Sequence, residues 1–144
     1  MNKTAFIFPG QGAQKCGMGK DFYENSELAK EIFDKASEAV ELDLKALCFE
    51  ENDDINITEY TQVALLTTSV AIMEVLKDRG IKPDVAAGLS LGEYCAMYAS
   101  GVMSLENTLK AIQKRADLMG STKGGAMAAV LNAPEGALEE ALKE

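Results

Sequence analysis

The 144-residue chain carries 14 Lys and Arg against 23 Asp and Glu, a net charge of −9, with 47% hydrophobic and 26% charged residues. That is the balance of one soluble globular domain with a sizeable core, and its acidity argues against nonspecific binding to nucleic acid or to an anionic membrane. Histidine is absent and the three cysteines, Cys16, Cys48 and Cys95, are scattered, so neither a disulfide framework nor a C-x-x-C metal site is expected, nor any cofactor.

The opening "MNKTAFIFPG" loses its apolar character after Phe8, too early for a secretory signal, and no apolar stretch is long enough to span a bilayer; a cytoplasmic protein is expected. Thr4 to Phe8 reads as a buried strand closed by Pro9-Gly10. "GQGAQKCGMG" follows, a loop with four glycines in ten residues that suits close backbone approaches. Ser26 caps a helical pattern in which Leu28, Ile32, Phe33, Ala36 and Val40 recur at three- and four-residue spacings. A short helix is expected over Leu44 to Phe49, then an acidic turn. A long helix runs from Thr58 to a stop at Gly80, apolar around most of its circumference between Val63 and Leu76 and therefore deeply buried. Val85 to Ala87 forms a second strand, Gly88 to Gly92 turns into a helix ending near Ser100, and Ser104 caps a helix through Leu118. Ala126 to Leu131 reads as a third strand, and Pro134 opens a last helix. This α/β order implies a largely parallel sheet. Three strands leave such a sheet incompletely covered, and the chain is expected to have been cut within a longer fold.

Within that order, "VAAGLSLGEY" holds G-x-S-x-G at Gly88 to Gly92. Glycine on both sides of a serine between strand and helix permits the sharp turn of a nucleophile elbow. The turn would lift Ser90 above the sheet beside the positive end of the helix dipole, with the N–H of Leu91 facing a developing oxyanion. The pentapeptide alone equally suits a plain turn in which Ser90 caps the helix. The Gly10-Gln11-Gly12 stretch follows a strand, yet Lys15 stands where a dinucleotide fingerprint needs its third glycine, and no Walker Lys-Ser/Thr pair is present. Two small residues around Gln11 suit either a tight turn with an exposed glutamine or delivery of its amide into a pocket.

Taken together, "FIFPGQGAQ", "TQVALLTTS", "GLSLGEY" and "QKRADLMG", in this order and spacing, closely resemble the malonyl-CoA:acyl carrier protein transacylases over the whole chain, down to "GAMAAVL". The resemblance implies an α/β-hydrolase-like parallel-sheet core over residues 1–123, here partial. The start of an inserted ferredoxin-like subdomain would occupy residues 124–144. It implies malonyl transfer from malonyl-CoA to the phosphopantetheine thiol of acyl carrier protein through a malonyl ester on Ser90, with Gln11 and Leu91 as the oxyanion region. Arg115 is then the partner of the malonate carboxylate, a role that suits a bidentate guanidinium. Gln62, Met119, Gly10 and Gly12 fall near the pocket, although packing explains Gln62 and Met119 nearly as well, and periodicity alone would leave Arg115 on a polar helix face beside Lys114. Lys110, Lys114 and Lys123 offer a local basic patch for the acidic carrier, or simply a solvated face.

The chain departs from the family twice. Leu89 replaces the histidine of "GHSLGEY", a neighbour that is not the general base. The catalytic histidine of the family lies further downstream than this chain extends, so the polypeptide by itself is expected to turn over negligibly. The full enzyme is expected to be a monomer, whereas an exposed sheet edge here invites self-association. Two alternatives stay open: a serine esterase sharing the elbow, and a non-catalytic domain that binds CoA or the carrier.

Overall fold

The computed structural model describes residues 3–124 and 130–143. Two parallel strands, β1 (Ala5–Phe8) and β2 (Val85–Gly88), pair in register from Ala5 opposite Val85 to Phe8 opposite Gly88. Among the described residues seven helices accompany them: α1 (Lys20–Asn25), α2 (Glu27–Val40), α3 (Leu44–Phe49), α4 (Thr58–Asp78), α5 (Gly92–Ala99), α6 (Leu105–Ser121) and α7 (Ala137–Ala141). A 3-10 turn at Asp54–Asn56 precedes α4.

Helix α4 is the centre of the molecule. Its residues Thr61 to Thr68, with Val70, Ala71, Met73 and Val75, are buried, because α2 and α6 pack against it and against each other. A helix apolar on most sides needs such enclosure. Gly80, at φ 84°, ends it as the sequence predicts: the Ile81 N–H reaches the Leu76 carbonyl at 2.9 Å and the Gly80 N–H that of Lys77 at 3.0 Å, a Schellman closure. The Ser26 hydroxyl accepts from the Ala29 N–H to start α2, and Ser104 accepts from Asn107 to start α6. Phe33, Leu44, Leu66, Leu91, Leu109 and Ile112 are among the largest fully buried side chains of the core. Among the described residues no helix is long and apolar enough to cross a membrane.

Two expectations change, at the first strand and at the last helix. The first strand is not buried on both faces. Phe6 and Phe8 face the helices, while Ala5 and Ile7 face outward with Val85 and Ala87, and Ile7 is 79% exposed. Side chains alternate across a strand, and helices pack on only one face of this pair. Helix α1 follows the glycine loop, in a stretch to which the sequence reading assigns no element. It begins at Gly19, φ 78°, with no side-chain cap, so it lacks the signals that mark a start. The third strand, Ala126 to Leu131, falls mostly outside the described residues, and Val130 and Leu131 have no regular structure. The last helix opens at Ala137 rather than Pro134, because Gly136 sits at φ 82°, outside helical geometry.

Candidate active site

The chain has three residues in which to pass from the end of β2 at Gly88 to the start of α5 at Gly92. Both glycines are sterically required. A Cβ on Gly88 would lie 2.0 Å from the Gly92 carbonyl group, and one on Gly92 would lie 2.4 Å from the Phe8 carbonyl oxygen. Ser90, between them, holds φ at 55°, a left-handed conformation costing a non-glycine residue about 1–2 kcal/mol. Strand, strained turn and helix together have the shape of a nucleophile elbow.

The alternative, a serine capping α5, fails on geometry. The capping position belongs to Leu91, and no side chain there accepts a helix N–H. The Leu91 side chain is sunk in the core. Among the described residues no backbone acceptor takes the Leu91 N–H at the start of α5, which leaves that donor unpaired by the backbone.

The glycine loop after β1 lies against this turn. Gly10 is buried, and a Cβ there would stand 3.0 Å from the Leu89 carbonyl oxygen. On its other side the loop is tied to the segment leading into α4. The Gly12 N–H donates to Gln14 Oε1 at 2.7 Å, Gln14 Nε2 donates to Asn56 Oδ1 at 3.1 Å, and Gln11 Nε2 donates to Thr58 Oγ1 at 3.1 Å. The Gln11 amide is thus engaged at the start of α4 rather than at Ser90. Leu89, in the place where the resemblance leads one to expect histidine, points its side chain outward, 72% exposed.

Arg115 reaches Ser90 from the third turn of α6. Its Nη2 donates to Ser90 Oγ at 2.8 Å, and its Nη1 donates to Gln62 Oε1. Gln62 is fully buried on α4 and turns its Nε2 toward the Met119 sulfur at 3.4 Å. The ring of Tyr94 lies 6.0 Å from the guanidinium carbon, close enough for a weak cation–π attraction. Ser90, Arg115, Gln62 and Met119 therefore form one chain of side-chain contacts across α4, α5 and α6. Periodicity left Arg115 on a polar face because it cannot see that the face looks across to the elbow.

Tyr94, Gln14, Asn56 and Thr58 are participants that sequence reasoning did not single out. Tyr94 and Gln14 do sit inside the quoted stretches "GLSLGEY" and "FIFPGQGAQ". Lys110, Lys114 and Lys123 are exposed, and Lys110 pairs with Glu106 at 2.5 Å.

The cysteines do not compete as nucleophiles. Burial pushes the Cys48 and Cys95 thiols up to about 12, against weaker opposing hydrogen bonds from Thr68 and Ser69, so both stay protonated near neutral pH. Cys16 is exposed, but it belongs to the far side of the loop, with its sulfur 3.7 Å from the Phe49 carbonyl oxygen.

Comparison with known proteins follows the same line. The chain is 44% identical over 144 residues to the malonyl CoA-acyl carrier protein transacylase of Bacillus subtilis (strain 168), covering 97% of this chain and 45% of that protein. The malonyl-CoA:ACP transacylase of Synechocystis sp. PCC 6803 superposes with a TM-score of 0.92 at 36% identity, over 97% of this chain and 47% of its own. A malonyl-transacylase solved in complex with a type II PKS acyl-carrier protein superposes with a TM-score of 0.77 at 37% identity, over 82% and 39%. This chain spans about half the length of these relatives. The model of the acyl transferase domain matches residues 5–143, and the chain belongs to that family.

Proposed function

We propose that this chain supplies the acyl-accepting side of a malonyl-CoA:acyl carrier protein transacylase active in fatty acid synthesis. The observation that carries the reading is the bond from Arg115 to Ser90. A guanidinium that can act as a fork for a carboxylate lies within hydrogen-bond distance of the serine on this turn, which supports the reading. Malonyl differs from acetyl by one carboxylate, and the half-buried guanidinium gains a charged acceptor only from the longer acyl group.

In the reaction, Ser90 Oγ forms a bond to the thioester carbonyl carbon, whose oxygen gains the negative charge near the Leu91 N–H. Collapse breaks the carbon–sulfur bond, and CoA leaves as the thiol, taking up the proton that Ser90 gave up. The phosphopantetheine thiol of the carrier then attacks the ester, and Ser90 recovers its proton. Serine needs a general base to lose that proton, and the 144 residues contain no histidine. The base belongs to a part of the catalytic unit other than this chain. Residues 1–123 are assigned to a partial α/β-hydrolase-like core and 124–144 to the start of a ferredoxin-like subdomain, in a cytoplasmic protein. Lys114 and Lys123, both exposed on the segment after the elbow, offer positive charge to an acidic carrier.

The test is mass analysis of acyl carrier protein after incubation with malonyl-CoA and the chain. The chain by itself should give negligible malonylation. Adding a polypeptide that corresponds to the remaining part of the Bacillus relative should restore it, with a malonyl adduct on Ser90 and not on Ser90→Ala. Rapid turnover by the unaided chain, or an adduct elsewhere, refutes the assignment.

A further inference from the structure

Arg115 binds the oxygen that is to attack. A hydroxyl attacks through an oxygen lone pair, and in this structure one lone pair of Ser90 accepts the Nη2–H of Arg115 at 2.8 Å. The positive guanidinium on that oxygen draws electron density from it. The other terminal nitrogen is fixed, because Nη1 donates to Gln62, whose side chain is fully buried. The guanidinium is therefore anchored at one end and engaged with the nucleophile at the other. A carboxylate that takes a bidentate grip needs two parallel N–H groups, and Nη2 is the nitrogen on the exposed, Ser90 side.

Resting on the malonyl reading above, we propose that the Arg115–Ser90 bond is a cap on the nucleophile that the free carboxylate of the acyl substrate displaces. Ser90 and the carboxylate compete for the same Nη2, and the carboxylate wins because a charged acceptor makes the stronger bond. Recognition of the substrate and release of the attacking oxygen are then one event. An acyl group with no carboxylate has nothing with which to draw the guanidinium aside, and it meets a serine with one of its two lone pairs occupied and its oxygen made less electron-rich. Discrimination against acetyl thus comes from the capped oxygen, since Arg115 keeps Ser90 and Gln62 as partners when no carboxylate arrives. The half-buried setting of Arg115 beside Tyr94 favours the exchange, since few waters can fill the place of either acceptor.

Competition has a thermodynamic signature. Removing the Ser90 oxygen takes away one of the two competitors, so the carboxylate should bind more tightly to a protein that has lost its nucleophile. Calorimetric titration of wild type and Ser90→Ala with malonyl-CoA should show about three- to tenfold tighter binding to the variant, the worth of one hydrogen bond. Acetyl-CoA should show no such gain. Ser90→Gly, which accepts the positive φ without strain, should reproduce the result and exclude a backbone effect. In an Arg115→Ala background the Ser90→Ala change should alter malonyl-CoA affinity less than twofold. Equal or weaker malonyl-CoA binding by both Ser90 variants, or an equal gain for acetyl-CoA, overturns the cap and leaves the malonyl reading standing. Failure of every form to bind malonyl-CoA overturns both.

Discussion

Gly88 and Gly92 make the elbow possible, and they do so by absence. Each occupies a point where strand, turn and helix backbone cross at distances no Cβ tolerates. Gly12, in the neighbouring loop, differs in kind: its φ of 108° calls for glycine, yet a Cβ there would meet nothing within 4 Å. The two kinds of glycine predict different losses. Gly88→Ala forces β2 and α5 apart and should cost at least the 1–3 kcal/mol typical of overpacking, displacing Ser90 from Arg115 as it does so. Gly12→Ala should cost about 1 kcal/mol, the strain of the backbone alone. Urea unfolding followed by circular dichroism separates them, and equal losses would contradict the steric account. At this scale the sequence was informative, because G-x-S-x-G announces its geometry through its spacing. Periodicity alone says nothing of Arg115, which only the resemblance of "QKRADLMG" singles out, because its meaning depends on where α6 lies. A helix face is polar in sequence whether it looks at water or across a cleft.

Elements with strong end signals were legible, and those held by tertiary contact were not. Helix α4 could be read from its apolar circumference and its glycine stop, and α2 and α6 from Ser26 and Ser104. Helix α1 has six residues, none of them fully buried, and begins at a glycine that leaves Thr68 and Phe33 close above it; its sequence carries glycines where a start signal would be. The elements also hold the groups that tie stability to pH. Cys48 on α3 and Cys95 on α5 are pushed up to about 12 by burial, from an ordinary 9.0. Tyr98 on α5 rises from 10.0 to about 12, through burial first and then the nearby Glu74 carboxylate. Folding therefore favours the protonated form of all three. Their contribution is complete below about pH 9, where the unfolded thiols are still protonated, and is lost as pH rises through 12. The melting temperature should fall steadily across that window. Native alkylation at pH 8 should modify Cys16 alone, and modification of Cys95 without unfolding would show that α5 is less well enclosed than its packing indicates.

Across the whole molecule the sheet is lopsided. One face carries Phe6 and Phe8 into the helical layer, and the other presents Ala5, Ile7, Val85 and Ala87 to solvent. Parallel strands are usually covered on both faces, so the α/β order read from sequence predicted more enclosure than this chain provides. Along the outer edge of β1 a groove of about 370 Å³ runs toward α4, lined by Phe6, Met18, Leu65, Ile72, Met73 and Leu76 among others. Stability must then come almost entirely from the helical layer, and substitution can show it. Ile7→Thr and Val85→Thr remove apolar groups that are 79% and 58% exposed. They should each change unfolding free energy by less than about 0.5 kcal/mol, as surface changes do. Phe33 is fully buried and lies 5.7 Å from the Tyr23 ring and 5.1 Å from that of Phe49. Phe33→Ala should cost about 3–5 kcal/mol, enough to unfold a domain of ordinary stability. The same Thr variants should reduce any concentration-dependent association seen by sedimentation, because they blunt the apolar face without touching the core. A large loss of stability from Ile7→Thr measured at low concentration would mean that the outer face is covered in solution. An unchanged association would mean that contact between copies runs through another surface, with the edge of β1 the next place to substitute.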